Sequence, residues 1–92
     1  MDINFTIQIF KEGRMFVAYA RELDVSSCGY SKQTALKNLK KAVLLFLEEA
    51  DKKGSLSEIL GEAGYTKKRE KLEAPKFISL QKASLLLPKV YA

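Results

Sequence analysis

From Ala35 onward the chain carries one long helical stripe, with apolar side chains at Leu36, Leu39, Ala42, Val43, Phe46, Leu47 and Ala50 spaced three and four residues apart. A single helix cannot bury such a stripe by itself, so the remaining chain must supply a second layer for it to cover. Ser31 offers an N-cap, and Gly54, just after Lys52 and Lys53, is placed to end the helix in the left-handed conformation. Ninety-two residues fit one domain. At 10.4 kDa the scaling laws give about 5,400 Å² of folded surface against about 15,000 Å² unfolded, enough for one modest core.

The second layer reads as a sheet. Ile3, Phe5, Ile7 and Ile9 alternate with Asn4, Thr6 and Gln8, the period of a half-buried strand. Phe16 to Ala20 forms a second strand, and a two-residue turn at Glu12-Gly13 would set Lys11 opposite Arg14 and Ile9 opposite Phe16. The buried face is then Phe5, Ile7, Ile9, Phe16, Ala18 and Ala20, while Phe10, Met15, Val17 and Tyr19 occupy the other, unusually apolar, face. Val25 to Tyr30 is a third, weaker strand. Ser55 with Glu58 suggests a capping box opening a second helix over 55–63, with Leu56, Ile59, Leu60 and Ala63 on its buried edge and Gly64 at its end. Thr66 to Pro75 is charged and reads as a loop, and Phe77 to Leu80 as a final strand before the tail Leu85-Leu86-Leu87. The expectation is an α+β domain, β-β-β-α-(α)-β, with sheet order 3-2-1-4, the last strand parallel to the first and both helices on one face.

Catalytic chemistry finds little to work with. Histidine is absent, which removes the usual general base and the commonest metal ligand. Asp2, Glu12, Glu22 and Asp24 fall at strand ends or turns, where acids are normally solvated. Cys28, the one cysteine, reads as a packed small residue and excludes an internal disulfide, which favours a reducing cytoplasm. Phosphate-binding loops, dinucleotide fingerprints and Cys or His metal spacings are missing. No catalytic, cofactor-binding or metal-binding residue is expected, no cofactor, and no membrane span, the longest apolar run being Ala42 to Leu47. The net charge is +5. Its densest cluster, Lys67, Lys68, Arg69 and Lys71, is a candidate for weak nucleic-acid contact, although Glu70 and Glu73 interrupt it and only Tyr65 lies near for stacking.

The segments Glu12-Gly13-Arg14-Met15-Phe16-Val17-Ala18-Tyr19, Glu22-Leu23, Cys28-Gly29-Tyr30-Ser31, Thr34-Ala35-Leu36 and Asn38-Leu39-Lys40-Lys41-Ala42-Val43 occur in an order and spacing that resembles the N-terminal domain of the HicB-like antitoxin family. The likeness runs from about Ile3 to Leu47, with departures at Asp24-Val25-Ser26-Ser27 and at Lys32-Gln33, where the family usually opens the helix with acids. The resemblance implies a partial RNase H-like fold without that fold's catalytic acids, and a role in binding and neutralising a small mRNA-cleaving toxin of the HicA type. Many relatives continue into a C-terminal DNA-binding module. Twelve residues follow Leu80 here, fewer than such a module needs, so a stand-alone relative is expected.

The expected function is therefore a cytoplasmic, non-catalytic protein-binding module, the alternative being a nucleic-acid-binding or regulatory domain. Self-association is expected as well. The long helix would span about 34 Å, whereas six-residue strands span about 20 Å, so its last two turns overhang the sheet. Leu44 and Leu45 flank the buried stripe on opposite sides, and the second helix can cover one of them. Met15, Val17, Tyr19, the uncovered leucine of Leu44 and Leu45, and Leu85, Leu86 and Leu87 then need partners, and a two-fold homodimer would supply them.

Overall fold

The structure, a computed structural model, describes residues 1–89. Six strands and two helices follow in order: β1 (Asp2–Ile3), β2 (Ile7–Glu12), β3 (Met15–Ala20), β4 (Val25–Gly29), α1 (Lys32–Lys52), α2 (Leu56–Glu62), β5 (Thr66–Lys68) and β6 (Lys71–Glu73). They form the expected α+β layout, but the strands divide into two sheets, β2-β3-β4 and β1-β6-β5.

The division falls inside the strand expected over Ile3 to Ile9. Thr6 gives both its backbone N–H and its hydroxyl to the Glu22 carboxylate, each at 2.7 Å. Asn4 accepts the Tyr65 hydroxyl on its carbonyl at 2.7 Å and the Ala74 N–H on its side chain at 2.9 Å. These bonds take the backbone out of one ladder and hand it to another. Glu22 is thus a structural acceptor rather than a merely solvated acid.

β2 and β3 make a hairpin with Glu12 opposite Met15 and Ile9 opposite Ala18. The turn is Gly13-Arg14, one residue later than Glu12-Gly13, because the first turn position needs positive φ and Gly13 supplies +60°. The partner slides by two residues, so each side chain keeps its expected face. β4 pairs antiparallel with β3, Val17 facing Cys28.

One face of this sheet meets α1: Ala18 and Ala20 are fully buried with Ala35 and Leu39, and Leu23 and Val43 nearly so. The small strand residues let the helix approach closely. Ser31 caps α1 as expected, its Oγ accepting the Thr34 N–H at 3.1 Å, and Gly54 at φ +77° follows its end. The expected capping box at α2 does not form. Ser55 makes no side-chain cap and instead donates to the Ala50 carbonyl at 3.4 Å.

The last strand is where the structure departs most from expectation. Phe77–Leu80 has no regular structure, while Thr66–Glu73, expected as a loop, is the β5–β6 hairpin. β6 lies parallel to β1, Asp2 beside Lys71 and Ile3 beside Leu72. A final strand does run parallel to the beginning of the chain after a helical crossover, but residues 71–73 form it. The N–H of Asn4 donates to the Leu72 carbonyl at 3.2 Å and that of Asp2 to the Glu70 carbonyl at 3.0 Å, so pairing rather than hydrophobicity selects the strand. Beneath the far end of α1, Leu47 shares a shallow pocket of 260 Å³ with Met1, Ile3, Leu56, Leu60 and Leu72. The overhanging turns therefore meet α2 and the small sheet.

Candidate functional site

Among the described residues, no element covers the face of β2-β3-β4 turned away from α1. Register brings three strands together there: Phe10 lies opposite Val17, Val17 opposite Cys28, and Tyr19 opposite Ser26. Phe10, Glu12, Val17, Tyr19, Ser26 and Cys28 line an open hollow of 520 Å³. Met15, Val17 and Tyr19 are half-buried, whereas Phe10 and Cys28 are exposed. Strand alternation identified the β3 residues of this surface. Ser26 and Cys28 required the β3–β4 register, which sequence alone does not supply.

Cys28 was expected to pack inward. It is instead a free, exposed thiol, because the helix-facing positions of β4 are Val25, Ser27 and Gly29. Beside it, the Tyr19 hydroxyl donates to Asp24 Oδ1 at 2.8 Å. That bond, with lesser contributions from burial and the Asp24 charge, raises the Tyr19 pKa above its usual value. Asp24 sits at φ +55°, a conformation Asp tolerates better than most residues. The ring of Tyr19 is thereby fixed over the sheet with its polar end already satisfied.

The other candidate interface residues lie elsewhere. Leu44 and Leu45 are both exposed, at 58% and 63%. α2 was expected to cover one of them and covers neither, since its buried residue Leu60 packs under the far end of α1. α1 occupies the opposite side of the sheet from the open face, so these leucines do not join Met15, Val17 and Tyr19 in one surface. Leu85, Leu86 and Leu87 belong to an extended segment after β6 and are 92%, 98% and 65% exposed.

The basic cluster is gathered at the tip of the β5–β6 hairpin, where Lys68 faces Lys71 across the two-residue turn Arg69-Glu70. Arg69 adopts φ +53°, an unfavourable conformation for its side chain. Lys68 reaches Glu73 at 3.5 Å, but Lys68 is exposed and Glu73 only half-buried, so the pair contributes little. Tyr65, the aromatic residue nearest this cluster in sequence, is 9% exposed and belongs to the core rather than to a stacking surface. Burial, and secondarily the Glu22 charge, pushes its pKa up to about 12. Among the described residues, no three Cys, Asp or Glu side chains converge as a metal ion would require. Among them also, no helix is long and apolar enough to cross a membrane. Comparison of the chain with family models, with curated proteins and with solved structures gives no match.

Proposed function

We propose that this protein is a non-catalytic, cytoplasmic protein-binding module of the antitoxin type, resembling HicB-like inhibitors that bind a small mRNA-cleaving toxin of the HicA type, and that it self-associates as a homodimer. The observation that carries the reading is the pair of uncovered apolar surfaces on opposite sides of the molecule. Phe10, Met15, Val17 and Tyr19 lie on one side, and Leu44 and Leu45 on the other. Two such surfaces allow one contact with a second copy and another with a different protein. The experiment is co-expression with a small basic protein from a neighbouring reading frame. Co-purification and rescue of growth from that neighbour are expected, and failure of both overturns the antitoxin role.

The second reading, nucleic-acid binding, draws on Lys67, Lys68, Arg69 and Lys71 at the exposed hairpin tip. It predicts a log affinity that falls with log salt at a slope of about −0.9 per phosphate contacted on duplex DNA. A mobility-shift series with no complex at low salt overturns it.

A further inference from the structure

The chain exposes 7699 Å², about 2,300 Å² more than the roughly 5,400 Å² expected of a compact protein of this mass. Its radius of gyration is 16.4 Å, against about 12 Å for a compact chain of this length. Much of this excess belongs to the arm after β6. Phe77 anchors the start of that arm under the Arg21 guanidinium, 4.8 Å from ring centre to Cζ. Beyond it, Ile78 (83%), Leu80 (73%), Leu85, Leu86 and Leu87 stand in solvent. Beyond Ala74, whose N–H donates to Asn4, the described residues of the arm make no backbone–backbone hydrogen bond to the body. Ile78 and Leu80 nevertheless alternate with Ser79 and Gln81 as a strand's residues do. The arm has the sequence of a packed element, yet among the described residues its large apolar side chains beyond Phe77 are exposed.

We propose that residues Ile78–Leu87 of one chain lie across the open face of β2-β3-β4 of a second copy, the two chains exchanging arms about a two-fold axis. Three observations favour a second copy as the occupant. The molecule is elongated, 50 × 29 × 24 Å, and Leu85 and Leu86 are almost fully exposed, so the end of the arm does not pack on its own body. Ten extended residues reach about 33 Å, more than the roughly 20 Å of a six-residue strand. The charges are also largely complementary: from Pro75 to Lys89 the arm carries Lys76, Lys82 and Lys89 and no acid, while the open face carries Glu12 and has Asp24 at its rim, with Arg21 as a base near Tyr19. A standard interface removes about 800 Å² from each partner, which the excess surface readily supplies. Apolar arm residues would seat over Val17 and Phe10, with the arm covering Cys28.

This inference rests on the self-association part of the proposed function and is independent of which other protein binds. The test is light scattering at high micromolar concentration, combined with the rate at which N-ethylmaleimide alkylates Cys28. The intact chain is expected at about twice 10.4 kDa, with Cys28 protected, and to expose Cys28 on dilution. Leu86→Asp on the arm and Val17→Lys on the face should each weaken the dimer by at least about thirtyfold, the effect of losing a buried anchor. Each variant should keep the far-UV circular dichroism of the parent. Mixing the two variants should restore a dimer, because one intact arm–face contact survives and the other opposes Asp to Lys. A monomeric intact chain overturns self-association itself. A Leu86→Asp variant that stays dimeric overturns the arm while leaving self-association standing. Protection of Cys28 that persists undiminished on dilution to monomer places the arm on its own chain and overturns the exchange.

Discussion

Gly29 is where one added methyl group would disturb most. A Cβ there would lie 2.7 Å from Thr34 Cγ2 and 2.8 Å from the Ala35 backbone nitrogen, and the backbone atom cannot yield without moving α1. Gly29→Ala is expected to cost about 1–3 kcal/mol, as overpacked cores do, and urea unfolding midpoints measure it. Arg69 presents the opposite case. Its φ of +53° is strained, and Arg69→Gly relieves about 1–2 kcal/mol of strain while adding about 0.5–1 kcal/mol of unfolded-state entropy. A small net rise in melting temperature is expected, and an unchanged or lower value contradicts the strain. Several residues that carry the family resemblance have structural tasks of this kind. Glu22 holds Thr6, Asn38 Nδ2 donates to the Cys28 carbonyl at 2.8 Å, and Leu23 and Leu39 are core. The resemblance thus lies largely in residues that build the sheet-to-helix joint. The arm leucines fall outside its span, and Leu44 and Leu45 lie within it but beyond the last matching segment, which ends at Val43.

Among the elements, α1 is the one whose termini and buried face follow most directly from local sequence. Its N-terminal charge nevertheless opposes its dipole, since Lys32 stands in a first turn that holds no acid, while in the last turn Lys52 offsets Glu49 and Asp51. Lys32→Glu is expected to stabilise the protein by about 0.3–1 kcal/mol, less at high salt. Ser31→Ala removes the cap and is expected to cost about 1 kcal/mol. Thermal melts at low and high salt check both: the Lys32 effect should shrink with salt and the Ser31 effect should not. The β5–β6 hairpin could not be read in this local way. Its one large apolar residue is Leu72, and like charges face each other at its turn. Its formation depends on β1, a partner nearly seventy positions away, which no local pattern announces.

At the scale of the whole molecule, Tyr65, just before β5, ties the second half of the chain to its beginning by donating to the Asn4 carbonyl, just after β1, across 61 positions. Its pKa is about 12 in the folded protein against an ordinary value of 10.0. A raised folded pKa means the native state holds the proton after the unfolded state has released it. The associated stability is complete below pH 10.0 and is lost as pH rises toward about 12. Urea midpoints should fall across that interval in the parent. In Tyr65→Phe, which starts about 1 kcal/mol less stable through the lost hydrogen bond, they should fall less steeply. Equal slopes in the two proteins would show that Tyr65 is not the titrating group.

The sequence by itself determined the α+β class, the α1 span and cap, the side-chain faces of β2 and β3, and an excess of uncovered apolar surface. Each depends on a period or a terminus encoded within a few residues. Tertiary structure decided the break at Asn4–Thr6, the residues of the last strand, the exposure of Cys28 and the separation of the apolar groups onto different sides. Those outcomes turn on which distant backbone groups find hydrogen-bond partners. Phe77–Leu80 has the side-chain pattern of a strand, yet Lys71–Glu73 became one because β1 was there to receive its backbone.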